Sequence, residues 1–154
     1  MIIEKAMLSD AEEILSLQKL AYISEAKIYK DYTIEPLVQP LKEIKTQFED
    51  HIFIKALSEG VIVGSVRGHL KEKTCYIGKL IVHSNYQNQG IGKNLMSQIE
   101  LVFNNSLKYE LFTGSKSRKN IYLYEKIGYK RFKTEIISTT LSMIFFSKTN
   151  HCIE

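Results

Sequence analysis

Residues 80–96 read "LIVHSNYQNQGIGKNLM", passing from an apolar run through a polar turn into a segment that opens as a helix. Two of the chain's eight glycines, Gly90 and Gly92, stand one residue apart at that junction. A helix that begins directly after a strand and turn leaves its first amides without intrahelical acceptors, at the positive end of the helix dipole. Such a start binds phosphate, and glycine keeps side chains away from it while Gln87, Gln89 and Lys93 offer further donors. A softened turn with a close helix contact fits the same glycine pair. Two other phosphate motifs fail on spacing. A P-loop requires glycine where Gln87 stands and a hydroxyl residue where Asn94 stands, and a dinucleotide fingerprint requires a small residue where Leu95 stands.

Upstream of this stretch, "HIFIKALS", "VIVGSVRGHL" and "TCYIGKLIV" are separated by Glu59–Gly60 and by "KEK", which predicts an antiparallel meander ending in a strand over 74–82. Downstream, the pattern predicts a helix over 90–103, a strand over 107–112, a helix over 118–127 stopped by Gly128, and two strands in "YKRFKTEIISTTLSMIFF". At the N-terminus, residues 2–6 read as a strand. Ser9 stands three residues before Glu12, the spacing of a capping box, so a helix is expected there with Ile14, Leu17 and Ala21 on its buried face. Pro36 and Pro40 predict an irregular connection before a short helix carrying Leu41, Ile44 and Phe48. The expectation is an α/β fold of one domain over 1–154.

Composition bounds the class. With 154 residues and 44% hydrophobic composition the chain suits a single ordinary core, and its net charge of +4 comes from scattered charges of both signs. That favours an anionic small molecule or an acidic partner, and it lacks the clustered basic face with interleaved aromatics that nucleic acid binding calls for. Cys75 and Cys152 match no metal spacing and make no disulfide framework, so a reducing cytoplasm is expected and no metal. No apolar run approaches a membrane span, and "MIIEKAMLSDAEEIL" lacks the basic start of a signal peptide.

The segment "QNQGIG", Gln87 to Gly92, resembles the R/Q-x-x-G-x-G/A signature of the GNAT superfamily of acyl-CoA-dependent N-acetyltransferases. "KLIVHSNY" before it resembles the strand and turn that lead into that signature, and "NIYLYEKIGYK", residues 120–130, is similar to the family's "LYEKLGF" ending. The close resemblance covers roughly residues 76–130. It implies the GNAT fold, a mixed, mostly antiparallel sheet flanked by helices, whose fourth and fifth strands splay into a wedge for acetyl-CoA. It implies that the backbone of Gln87, Asn88, Gln89, Gly90, Ile91, Gly92 and Lys93 holds the pyrophosphate. Main-chain groups of Leu80, Ile81 and Val82 would pair with the pantetheine arm as an added strand, covering an otherwise exposed edge, with Asn120 on the far wall. A homodimer is one option the family offers.

The implied chemistry is acetyl transfer to a primary amine, which must lose a proton before it attacks, while the departing thiolate needs one. Tyr124 matches the family position whose hydroxyl faces the CoA sulfur, and it also reads as a tyrosine packed beside Ile121 and Ile127. The resemblance implies an oxyanion-binding amide near Ile81 or Val82, where the family's strand bulges. The base stays open. "TCYIGKLIV" lacks the glutamate that many relatives carry on the fourth strand, and Glu25, Glu35 and His83 are the candidates bordering the site. Of Tyr22, Tyr29 and Tyr32, any could line an acceptor pocket or belong to the core, and the basic "KSRK" at 116–119 fits the 3′-phosphate of CoA or a solvated helix start. The alternatives in function are a CoA-binding module that senses without transferring and a basic nucleic-acid-binding domain.

Overall fold

A computed structural model describes residues 1–151. Seven strands form one sheet: β1 (Ile2–Lys5), β2 (Ile52–Ser58), β3 (Val61–Lys71), β4 (Thr74–Val82), β5 (Lys108–Gly114), β6 (Lys130–Ile136) and β7 (Ser142–Thr149). Their spatial order is β1-β2-β3-β4-β5-β7-β6, antiparallel except where β5 runs parallel to β4. The helices are α1 (Ala11–Tyr29), α2 (Glu35–Val38), α3 (Leu41–Gln47), α4 (Ile91–Val102) and α5 (Arg118–Lys126). This is the expected GNAT fold class. Cys152 lies outside the described residues.

The meander is closed by two-residue turns with both residues left-handed, Glu59 and Gly60 (φ 51° and 79°) and Glu72 and Lys73 (φ 50° and 67°). That conformation carries the right-handed strand twist across a tight hairpin. α4 lies on one face of the sheet, where Ile91, Leu95, Met96 and Ile99 pack on Ile54, Val66 and Ile77. α1 and α3 lie on the other, where Ile14, Leu17 and Ile44 meet Phe53, Ile62 and Ile81. α5 ends in a Schellman stop at the glycine expected there: Tyr129 N–H bonds Tyr124 C=O, Gly128 N–H bonds Glu125 C=O, and Gly128 has φ 104°.

Two local expectations are corrected. Ser9 does not cap α1. Asp10 ends a turn of 3-10 helix instead, its carboxylate accepting from Met7 N–H at 2.8 Å and from Lys55 Nζ at 2.9 Å, so the box sits two residues earlier. Pro36 lies inside the one-turn α2, not in an irregular connection, because the first turn of a helix has no use for the proline N–H.

β4 contains a bulge, set just ahead of the Ile81 or Val82 position that the resemblance implied. Ser65 faces Ile81 and Arg67 faces Gly78, so Lys79 and Leu80 together oppose Val66, and Lys79 takes φ 48°. The extra residue reverses the side-chain alternation. Cys75 and Ile77 face α4 before it, Leu80 and Val82 face α4 after it, and Ile81 turns to the α1 face.

α1 is anchored to the sheet by a buried guanidinium. Arg67, 3% exposed, donates to Gln18 Oε1 at 2.6 Å and Gln47 Oε1 at 2.7 Å, and lies 4.6 Å from the Phe53 ring centroid. Burial lowers its pKa to about 10. Gln18 also donates to Pro36 C=O and Gln39, so one amide joins α1, α2 and β3. Gln18→Leu removes these bonds and leaves the cation short of an acceptor, with an expected loss of about 2 kcal/mol of stability in denaturant unfolding.

Candidate functional site

β4 and β5 are paired only at their first residues, Thr74 to Tyr76 against Lys108 to Glu110. Beyond that they separate, so the later half of β4 has a free edge facing β5. A cavity of about 1050 Å³ occupies this wedge and its mouth, walled by α1 (Tyr22, Glu25), β4 (Leu80, Ile81, Val82), the start of α4 and the start of α5.

The mouth is built by the 80–96 stretch. β4 ends at Val82, His83 N–H bonds Val63 C=O at 2.8 Å, and one 3-10 turn over Ser84–Tyr86 reverses the chain toward α4. Gly90 has φ 80°, a left-handed conformation costly to a residue with a Cβ, and a Cβ there would meet nothing within 4 Å. Gly90 is therefore required by its backbone. Gly92 is different: its Cβ would make ordinary contact with Leu123 and Leu80 on the cavity wall, 3.4 and 3.7 Å away. The first bond of α4 runs from Asn94 N–H to Gly90 C=O at 3.0 Å, leaving the amides of Ile91, Gly92 and Lys93 without acceptors in the helix.

The walls are basic. Lys27, Lys93, Lys116, Arg118, Lys119 and Lys126 line the cavity, and Glu25 is the acidic residue among the described lining residues. Three free amides at the positive end of a helix, facing a cluster of lysines, suit a phosphorylated ligand. Three of the four residues of "KSRK" thus belong to the cavity as cations. A cavity of similar volume, about 1060 Å³, lies beside α3 and is lined by Lys42, Lys45, Glu49, Asp50 and His51 among others, with charges of both signs and no splayed strand edge.

Leu80, Ile81, Val82, Gln87, Asn88, Gly90, Ile91, Gly92, Lys93 and Asn120 all border the wedge cavity. Gln89 does not, and is exposed. Gln87 turns its amide to Val82 C=O at 3.4 Å and receives Lys119 Nζ at 3.4 Å, bridging the mouth. Asn120 Nδ2 bonds Thr113 Oγ1 at 3.3 Å. The strand bulge expected near Ile81 or Val82 lies at Lys79 and Leu80.

Tyr124 lies behind the cavity wall, not on it. It is 5% exposed, with its ring 6.1 Å from Tyr129 and 6.0 Å from Phe146. Burial first, and then Tyr22 and Glu25, hold its phenol well above the usual range. Both of those residues are on the cavity wall, so the phenol lies within electrostatic reach of the cavity. No hydrogen bond engages that hydroxyl among the described residues.

The three candidate bases separate. Glu35 is outside the cavity, paired with Lys79 at 3.0 Å. His83 borders it, but its Nδ1 accepts from Asn85 N–H at 3.1 Å. Glu25 borders it and accepts from Ser117 Oγ at 2.5 Å. Ser117 is 2.8 Å from the hydroxyl of Tyr29, which takes the Lys116 N–H at 2.9 Å. Tyr29 and Ser117 therefore hold the site together, a role the sequence reading did not assign to either. Tyr32 is exposed and does not border the cavity. Cys75 is buried, its thiol pushed up to about 12 by burial, then by Glu100, and it has no reactive character. No helix of the described residues is long and apolar enough to cross a membrane.

The sequence profile of the acetyltransferase (GNAT) family matches residues 12–129. Among curated proteins, the UPF0157 protein YqkA of Bacillus subtilis (strain 168) is 27% identical over 124 residues, 80% of this chain. The chain spans about a third of that relative's length, 36%. Among solved structures, the ribosomal-protein-S18-alanine N-acetyltransferase of Escherichia coli superposes with a TM-score of 0.80 at 15% identity, over 97% of this chain and 93% of that one. YncA of Salmonella typhimurium, determined with its cofactor acetyl-CoA, superposes with a TM-score of 0.76 at 18% identity, over 97% of this chain and 93% of that one. At these identities the likeness is one of fold.

Proposed function

We propose, for a chain that belongs to the GNAT acetyltransferase family, that it acts as one domain to transfer the acetyl group of acetyl-CoA directly to a primary amine. The observation that carries this reading is the open β4 edge with the unbonded amides of Ile91, Gly92 and Lys93 at its mouth. Those amides suit a pyrophosphate, Lys116, Arg118 and Lys119 suit the 3′-phosphate, and the backbone of Leu80 to Val82 offers a pantetheine arm the pairing that β5 does not.

Acetyl-CoA, when bound, supplies an acetyl group activated as a thioester. The chain's residues then have three tasks. Backbone amides at the Lys79–Leu80 bulge, released from regular pairing, are the donors best placed for a developing oxyanion. Tyr124, held protonated by burial, gives a proton to the departing sulfur. The acceptor amine is admitted between α1 and β4, where Tyr22 and Glu25 stand. Over the reaction an acceptor ammonium gives up two protons, one taken by the thiol and one released, so the proton balance closes without a redox step.

A ligand present at about a hundred times its dissociation constant stabilises the folded state by ~2.7 kcal/mol. For a chain of this length that is about 5–10 °C in melting temperature. The expected result is such a shift with acetyl-CoA and with CoA but not with NAD, shrinking as salt screens the lysines. Thiol release that depends on an added amine then separates transfer from mere binding. No shift with CoA removes the phosphate-site reading, and a shift without amine-dependent thiol release from a broad amine panel favours a CoA-sensing module.

A further inference from the structure

A cavity wall carrying six cationic residues holds its one carboxylate, Glu25, without an ion pair among the described residues. The carboxylate is fixed by a chain of neutral hydrogen bonds whose direction is determined. A serine hydroxyl has one hydrogen, and at 2.5 Å it goes to Glu25 Oε2. Tyr29 must then donate to Ser117 Oγ at 2.8 Å, and its oxygen accepts the Lys116 N–H at 2.9 Å. Every member is satisfied, and a bond chain of one direction polarises each link toward the carboxylate. Both linking side chains are buried, Tyr29 at 3% and Ser117 at 4% exposure, so the arrangement is not a surface contact. Glu25 Oε1 keeps its lone pairs for a donor in the cavity.

Ser117 immediately precedes α5, where a serine hydroxyl ordinarily bonds the helix's own first-turn amides. It makes no such bond here. The hydroxyl reaches across to α1 instead, and so a negative charge is set beside the helix that carries Asn120 and Tyr124. Tyr22, one helical turn before Glu25, borders the same space, and the charge of Glu25 is felt by both tyrosines.

We infer that Glu25 is the seat of the acceptor's ammonium group, so that the cavity, basic toward its phosphorylated ligand, selects acceptors that arrive as cations at its reacting end. This rests on the acetyl-transfer reading above, which makes the cavity the acetyl-CoA site.

The test uses two CoA thioethers of matched size, so that no acceptor need be known: S-(2-aminoethyl)-CoA, which carries an ammonium just beyond the sulfur, and the neutral S-propyl-CoA. Calorimetric titration of the wild-type protein is expected to show the amino probe binding at least tenfold tighter. In Glu25→Gln that preference disappears while the affinity for S-propyl-CoA is unchanged, and in Glu35→Gln it persists. Equal affinities in the wild type overturn the inference, as does a preference that survives in Glu25→Gln. Where Glu25→Gln does not fold, Glu25→Asp, with the charge on a shorter arm, is expected to keep a reduced preference, and an undiminished one overturns the inference. Binding of neither probe to the wild type removes the acetyl-CoA reading and this inference with it, whereas equal, tight binding of both removes the inference alone.

Discussion

Tyr124→Phe is expected to lower amine-dependent thiol release from acetyl-CoA by about a hundredfold or more, the scale of a lost general acid. Acetyl-CoA binding and stability are expected to stay near wild type. The reason lies in what the substitution leaves in place. The ring stays packed between Tyr129 and Phe146, and the deleted hydroxyl bonds no described residue, so its loss strands no partner. A tyrosine whose role is packing predicts the reverse pattern, with turnover untouched. The pH profile adds a second check. Burial disfavours the phenolate, and the folded-state pKa is raised, so the protonated acid persists above the ordinary phenol value of ~10. Wild-type turnover is therefore expected to show no alkaline fall attributable to Tyr124 below that pH. A fall below that pH that Tyr124→Phe abolishes would mean that the site favours the phenolate, and would refute the buried-acid reading.

The parts of this site that were legible in the sequence are those set by short-range backbone rules. Gly90 and Gly92 mark a helix start because left-handed φ and open backbone have few other residue choices, and Gly128 marks a helix stop for the same reason. The meander follows from β-branched runs broken by turn residues. What was not legible depends on contacts between distant segments. Ser9 and Glu12 have capping-box spacing, but Asp10 is drawn to Lys55 on β2 and to the Met7 amide, which no local pattern reveals. The bulge at Lys79 is flanked by Gly78, an isolated strand glycine that hints at an irregularity without fixing which residue is the extra one. Glu25, Tyr29 and Ser117 lie on α1 and just ahead of α5, so their union is a consequence of how α1 crosses the open end of the sheet. The one local sign was a serine directly before a helix, which suggests a cap and hides the bond it makes instead.

That union also sets the largest stability effect expected. Gly114, the last residue of β5, is buried, and a Cβ built on it would overlap the hydroxyl and Cζ of Tyr29 and lie 3.0 Å from Ser117 Oγ. The atoms in the way cannot swing into solvent, because the Tyr29 ring is itself enclosed. Gly114→Ala must therefore displace the ring or the strand, breaking the bonds to Ser117 and the Lys116 amide and leaving buried groups unpaired. Overpacking costs about 1–3 kcal/mol and each stranded polar group a similar amount, so a loss of about 4 kcal/mol is expected. In this size of chain that is roughly 10 °C in melting temperature. Gly60→Ala is the matched control, since its φ of 79° strains alanine by about 1–2 kcal/mol but its Cβ would meet nothing within 4 Å. A double-mutant cycle with Tyr29→Ala isolates the contact: with the ring gone, the methyl group at 114 has room, and its cost is expected to fall to about 1 kcal/mol or less. If Gly114→Ala costs the same with and without the ring, the strand end and not the tyrosine is what the glycine serves, and Tyr29 loses its place in the chain of bonds that holds Glu25.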